Sequence, residues 1–269
     1  MMSTNYLITP RIIDMLNRGG PDQRTQEWFA MRGNRITGSI IDIIIQNKTI
    51  YGNSPTKLML QKAGMPSDFH GNAFTRHGTY YESEAIAHFE KRTGFKVLVM
   101  PLVQHPEHRL LAHSPDGIVL RPGLPPALLE VKTPYRRDFE NDTHVHDIYI
   151  GQCQMGMSTF DVDLTYFVQY RPNGHMNKPE LLTIIKLERE RDWLETHAPT
   201  LEAFWAEVEH WRAHGWQNHP SADKLKPPPE PALLLHDDSD EENSFVPPPR
   251  APLTDIGRVM FVDSSDEGM

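Results

Sequence analysis

A chain of 269 residues, 38% of them hydrophobic, is long enough for one large or two small domains with a core of their own. Its longest apolar run, Ile40 to Ile45, is broken by Asp42 and is far shorter than the ~20 residues of a membrane helix. The N-terminus also lacks the basic start and apolar block of a secretion signal, so an intracellular protein without membrane attachment is expected. The single cysteine, Cys153, excludes a disulfide framework and a cysteine-based zinc site and is expected as a buried helical thiol.

The net charge of −9 is unevenly spread, because His219 to Met269 carries four basic against eleven acidic residues. The remainder is nearly neutral, so the acidic total does not exclude a nucleic-acid enzyme. Basic side chains can still gather around a groove. Candidates are RGNR (Arg32 to Arg35), KRTGFK (Lys91 to Lys96) and YRR (Tyr135 to Arg137).

In chain order, Ile36 to Gln46 reads as a helix opened by Thr37 or Ser39. Ser54 caps a second helix, with Pro55 at its first position and Gly64 as its stop. Phe74 to Thr93 is a longer helix closed by Gly94, with Ala85, Ile86 and Phe89 on an apolar face. Within it Glu82 stands four residues after Gly78, where a small residue permits close backbone approach. Taken alone it reads as an exposed helical glutamate. Phe95 to Leu102 is strand-like.

Ser114 to Gly117 forms a turn, Ile118 to Leu120 a strand, Arg121 to Pro126 a loop and Ala127 to Val131 a second strand, which together predict a hairpin. A helix near His146 to Phe160 follows, then strands near Leu164 to Tyr170 and Leu181 to Leu187, and an amphipathic helix from about Arg189 to Ala213. Trp193, Trp205 and Trp211 on that helix are expected to pack. His144 and His146 share a loop with no third ligand at a recognisable spacing, which argues against zinc. The pattern predicts an α/β fold in residues 1–218, a mixed sheet flanked by helices.

The hairpin carries the most chemistry. Alternation along a strand puts Glu130 and Lys132 on one face and Val131 on the other, and the hairpin brings Asp116 beside that pair. Two carboxylates offer hard oxygen ligands to Mg²⁺, which shares its octahedron with waters and substrate phosphate. An ammonium on the same face can orient the attacking water of a phosphodiester hydrolysis. An Asp-Gly turn followed by a solvated Glu-x-Lys edge is the competing structural reading.

Five segments occur in order: RTQEWFAMRGNRITGS (Arg24 to Ser39), HGTYYESEA (His77 to Ala85), SPDG (Ser114 to Gly117), LEVKTPY (Leu129 to Tyr135) and YIGQCQMGM (Tyr149 to Met157). Over roughly residues 24–187 the chain resembles the YqaJ-type viral recombinases, relatives of phage lambda exonuclease in the PD-(D/E)xK nuclease superfamily. The resemblance implies a restriction-endonuclease-like core and an origin in a phage or large DNA virus, hence action inside an infected cell. It implies that Asp116, Glu130 and the Val131 carbonyl hold Mg²⁺, for which Mn²⁺ substitutes, with Glu82 in support. Lys132 would activate the attacking water and Gln152 position it. Arg32 and Ser39, helped by Ser114, would hold a terminal 5′ phosphate. Thr133 stands where relatives often carry cysteine.

The activity so implied is 5′-to-3′ digestion of duplex DNA from phosphorylated ends, for recombination, replication or repair. A single-strand annealing partner and a homo-oligomeric ring belong to the same implication. Two alternatives are a structure-specific endonuclease and an inactive DNA-binding scaffold.

Residues 219–269 hold nine prolines and the acidic run Asp237 to Glu242. Such a segment buries too little apolar surface to offset its ordering entropy and is expected to be disordered. Its apolar islands, Leu233 to Leu235 and Ile256 to Val262, are candidate docking points for a protein partner.

Overall fold

The computed structural model of the protein describes residues 5–21, 25–67, 72–226 and 259–261. Strand β1 (Tyr6–Ile8) leads into helix α1 (Pro10–Arg18), and helix α2 (Gln26–Gly33) follows. Both helices open on a threonine, Thr9 or Thr25, whose hydroxyl accepts from an otherwise orphaned first-turn amide. Strand β2 (Ile36–Thr37) runs directly into α3 (Gly38–Ile45), so the expected helix at Ile36 starts two residues late. Helix α4 (Pro55–Lys62) is capped by Ser54, as expected, and α5 (Ala73–Thr93) ends on Gly94 in the left-handed conformation.

The expected strand at Phe95 to Leu102 is realised only in part. Its first part, β3 (Lys96–Leu98), joins the main sheet, whereas β4 (Val103–Gln104) lies beyond Pro101, which has no amide to donate to a ladder. Strand β5 (Leu111–His113) pairs with β4 and, in parallel, with β2. The hairpin is β6 (Gly117–Arg121) and β7 (Leu124–Lys132), with Gly123 at φ 68° in the turn. A 3-10 turn at Asp147–Tyr149 opens α6 (Ile150–Phe160). Then come β8 (Leu164–Arg171), β9 (Leu181–Glu188) and α7 (Trp193–His214).

The main sheet has the order β3-β6-β7-β8-β9. β7 and β8 are parallel, which requires a crossover, and the crossover carries α6 over one face. α5 covers the opposite face, where Ala85 and Phe89 meet Leu129, Val131 and Val168. Burying Phe89 completely contributes on the order of 2 kcal/mol. The alternation along β7 thus turns Val131 toward α5 and Glu130 toward α6. Cys153 is buried on α6, as expected.

A second core joins α3, α4 and α7 through Ile41, Leu60, Leu201 and Trp205. Trp193 and Trp205 are buried and Trp211 packs at the margin, in keeping with packing roles. The ordered chain continues past Asn218 into α8 (Ala222–Leu225), whose Ala222 is buried and whose Leu225 reaches this core. Of the segment expected to be disordered, Leu233 to Leu235 and Asp237 to Glu242 lie outside the described residues. Val259–Phe261, within the second island, form β10 and pair in parallel with β1. No helix among the described residues is long and apolar enough to cross a membrane.

Candidate active site

The hairpin register pairs Gly117 with Leu129 and Ile118 with Leu128, which carried one residue further sets Asp116 opposite Glu130. Asp116 Oδ2 accepts the Val131 amide at 2.7 Å. Glu130 is 1% exposed, and its Oε1 accepts Lys132 Nζ at 2.6 Å and Gln152 Nε2 at 2.5 Å. Lys132 Nζ also donates to Gln152 Oε1 at 3.3 Å and lies 5.0 Å from the Tyr149 ring centre. The four side chains come from β7, α6 and the turn before β6. A solvated edge is not what they form.

Burial raises the Asp116 carboxyl, and burial raises that of Glu130 to about 7, against the pull of Lys132. For Lys132 burial works downward, but Glu130 and Asp116 override it and hold the ammonium above the ordinary lysine range. Glu130 Oε2 is buried without a hydrogen-bond partner. An orphaned carboxylate oxygen beside a second, half-buried acid suits a divalent cation, and hard oxygen donors are what Mg²⁺ and Mn²⁺ take. The donor set therefore fits the expected metal.

Gln152 is held from below. Asp42, on α3, accepts the Gly151 and Gln152 amides at 2.9 and 3.0 Å and so caps the first turn of α6. A Cβ at Gly151 would lie 2.7 Å from Asp42 Oδ1, so that position needs glycine for close approach.

The predicted phosphate residues meet at the other end of α3. Arg32 Nη2 donates to Ser39 Oγ at 2.8 Å, and its guanidinium lies 4.4 Å from the Trp28 ring centre. Thr37 precedes α3 without a side-chain cap bond, so no side chain caps the first-turn amides beside Ser39. Lys62 Nζ donates to the Arg32 and Arg35 carbonyls at 2.8 and 2.6 Å. Burial lowers Arg32 to about 10, and burial, with Arg32 and Arg212 nearby, lowers Lys62 to about 7.

Gly38 joins the two ends, since a Cβ there would lie 2.7 Å from His113 Nδ1 and 3.1 Å from Gln152 Cγ. His113 is buried between Gly38 and Gly156, with no hydrogen-bond partner for either ring nitrogen. Burial holds it neutral, its pKa lowered to about 3.

Two predicted residues stand further off. Glu82 is half-buried on α5, one turn beyond Gly78, where a Cβ would meet Thr133 Oγ1 at 3.7 Å. It therefore approaches the site from the α5 side of the sheet, opposite to Gln152. Ser114, half-buried, follows β5 and leads through Pro115 into Asp116. Thr133 faces α5, away from Glu130.

The basic segments separate. Arg32 is at the site, but Arg35 is committed to Gln104 and Arg137 to Asp142 and Gln169. Lys91 to Lys96 lies at the far end of α5, about 20 Å from Gly78 at 1.5 Å per helical residue. There Arg92 donates to the Leu182 carbonyl at 2.7 Å. That segment lies away from the Asp116 cluster. Another group, Glu84, His88 and Glu180, brings ligand atoms within 4.8 Å of one another, but both glutamates are exposed and the Tyr170 hydroxyl lies within hydrogen-bond reach of each.

Sequence reasoning missed Asp42, Lys62, His113 and Arg212. Asp42 left a signal, a lone acid in the run SIIDIII that a buried helix would not otherwise carry.

Comparison with known proteins matches residues 27–163 to the YqaJ-like viral recombinase domain. An uncharacterized protein of Acanthamoeba polyphaga mimivirus is 28% identical over 160 residues, 55% of this chain and 29% of that protein. The chain thus spans less than a third of that relative's length. Among solved structures, an alkaline exonuclease from Laribacter hongkongensis superposes with a TM-score of 0.57 at 26% identity, covering 75% of this chain and all of that one. The same exonuclease in complex with dAMP gives a TM-score of 0.57 at 25% identity.

Proposed function

Since the chain belongs to the family of the YqaJ-like viral recombinase domain, we propose that it is a Mg²⁺-dependent exonuclease that digests duplex DNA 5′-to-3′ from phosphorylated ends. The observation that carries this reading is the mutual bonding of Glu130, Lys132 and Gln152 with Asp116 set opposite Glu130, and the buried Glu130 Oε2 left unsatisfied. The likeness to the alkaline exonuclease supports it.

Asp116, Glu130 Oε2 and the Val131 carbonyl would hold the ion, supported by Glu82. When bound, a divalent ion stabilises charge developing on the phosphate and lowers the pKa of its water. Gln152 holds Glu130 and Lys132 in register, so both present fixed atoms to the attacking water. Lys132 is an ammonium while Glu130 and Asp116 attract it. That attraction would weaken with an ion bound, which would let Lys132 take the proton of the attacking water. Arg32, Ser39 and the start of α3 hold the terminal phosphate through a planar fork, a hydroxyl and backbone amides. Ser114 assists from the turn before Asp116.

In this reading the protein acts in recombination, replication or repair within an infected cell, with a single-strand annealing partner and a homo-oligomeric ring. The nuclease domain expected over residues 1–218 extends through α8, and the segment after it is a tail that binds another protein.

The test is digestion of a linear duplex with a 5′ phosphate on one strand and a 5′ hydroxyl on the other, with Mg²⁺ supplied or chelated. The phosphorylated strand is expected to disappear first, and only with metal. Equal loss of both strands would remove the role of Arg32 and Ser39. Nicking of closed circular DNA would instead indicate an endonuclease, and no hydrolysis a scaffold.

A further inference from the structure

Arg32 can meet a terminal phosphate only if the turn that carries it is held in place, and that turn is held by two cations. Lys62, on α4, donates to the carbonyls of Arg32 and Arg35, at 2.8 and 2.6 Å. Arg212, on α7, donates from Nη2 to the Gly33 carbonyl at 3.2 Å and from Nε to the Lys62 carbonyl at 2.9 Å. Three carbonyls of one four-residue turn are thereby tied to two neighbouring helices. Arg212 is itself steadied 5.1 Å from the ring centre of the buried Trp205.

Among the described residues neither Lys62 nor Arg212 has a carboxylate within salt-bridge distance, so their charge is not spent on an ion pair. Desolvating a lysine merely to close a turn is unfavourable, and burial does lower Lys62. The arrangement makes sense where an anion arrives. α7 also lies outside residues 27–163, which match the family domain.

We propose that Lys62 and Arg212 are positioning residues for the end-binding arm, holding Arg32 for the 5′ phosphate, so that α7 sets the preference for phosphorylated ends. The proposal rests on the end-anchoring role given to Arg32 above.

Steady-state digestion of two duplexes, one with 5′ phosphates and one with 5′ hydroxyls, tests it in the full-length chain with Arg212→Ala, Arg212→Lys, Lys62→Met and Arg32→Ala. Arg212→Ala and Lys62→Met are expected to raise KM for the phosphorylated duplex about tenfold, the scale of one charge-assisted hydrogen bond. Their kcat should be unchanged, as should both constants on hydroxyl ends. Arg212→Lys, which keeps the charge but has a single donor nitrogen where the guanidinium uses two, should recover part of the loss. Equal losses on both substrates would mark a merely structural role and overturn the proposal, as would an intact preference in Arg212→Ala while Arg32→Ala loses it. If Arg32→Ala also keeps the preference, the anchoring reading fails and this proposal falls with it.

Discussion

At the hairpin end of the site, Asp116 and Glu130 are acids pushed above their ordinary range by burial; at the start of α3, Arg32 and Lys62 are bases pushed below theirs by the same cause. The ends differ in how the strain is answered. The acids have Lys132 as an internal counter-charge, yet one oxygen of Glu130 stays unsatisfied. The bases have no acid among the described residues and are tied to carbonyls and a hydroxyl instead. Each end is poised for a charge that a phosphodiester hydrolysis brings: a cation at one, a phosphate at the other.

Breaking the acidic end should have the largest effect. Glu130→Gln and Lys132→Ala are each expected to reduce Mg²⁺-dependent hydrolysis by about 10³-fold, the scale at which removing one preorganised charge partner is felt. Release of acid-soluble nucleotide from end-labelled duplex measures it, and near-normal rates in either variant would separate the cluster from catalysis.

The same end should show a stability cost. Glu130 titrates near 7 in the folded protein and near 4.5 unfolded. Between those values the folded state binds the extra proton, so its stability falls as pH rises and the penalty is complete above 7. Glu130→Gln should therefore flatten the fall in stability of the metal-free protein between about pH 4.5 and 7, read as melting temperature against pH. Adding Mg²⁺ should raise the melting temperature of the unaltered protein more than that of the variant. Equal shifts in both would mean the ion binds elsewhere.

The basic end predicts the opposite slope over a different range. Lys62 titrates near 7 when folded and near 10.5 unfolded. Across that window the unfolded chain holds a proton that the folded one lacks, so stability rises with pH. The melting temperature of the unaltered protein should gain on that of Lys62→Met between pH 7 and 10, and parallel curves would show that Lys62 is not held in this way. The smallest effect is expected of Ser39→Ala, a neutral hydroxyl on the phosphate: a loss of about threefold to tenfold in kcat/KM on phosphorylated ends alone.

The hairpin was legible because its signals are local: an Asp-Gly turn, apolar alternation, and a Glu-x-Lys pair whose period fixes the face. Gln152 was reached only through the order of whole segments, and Glu82, marked locally only by its spacing from Gly78, gained a role the same way. The supports were not legible. Asp42 reaches Gly151 across 109 positions, and Arg212 reaches Lys62 across 150 and Gly33 across 179. No periodicity carries information over that range. β1 and β2 were missed because two or three residues are too few to show alternation, and their pairing is decided by distant strands.

His113 fills the gap between Gly38 and Gly156, while Asp42 bolts α3 to α6. Two helices joined at a spacer and a bolt cannot slide past one another. In the proposed reaction the span from an anchored DNA end to the bond that breaks is then gauged by protein rather than by nucleic acid. Every cut would fall one fixed step from the end, whatever the base sequence, and Gly38→Ala, by forcing His113 aside, would spread the product lengths.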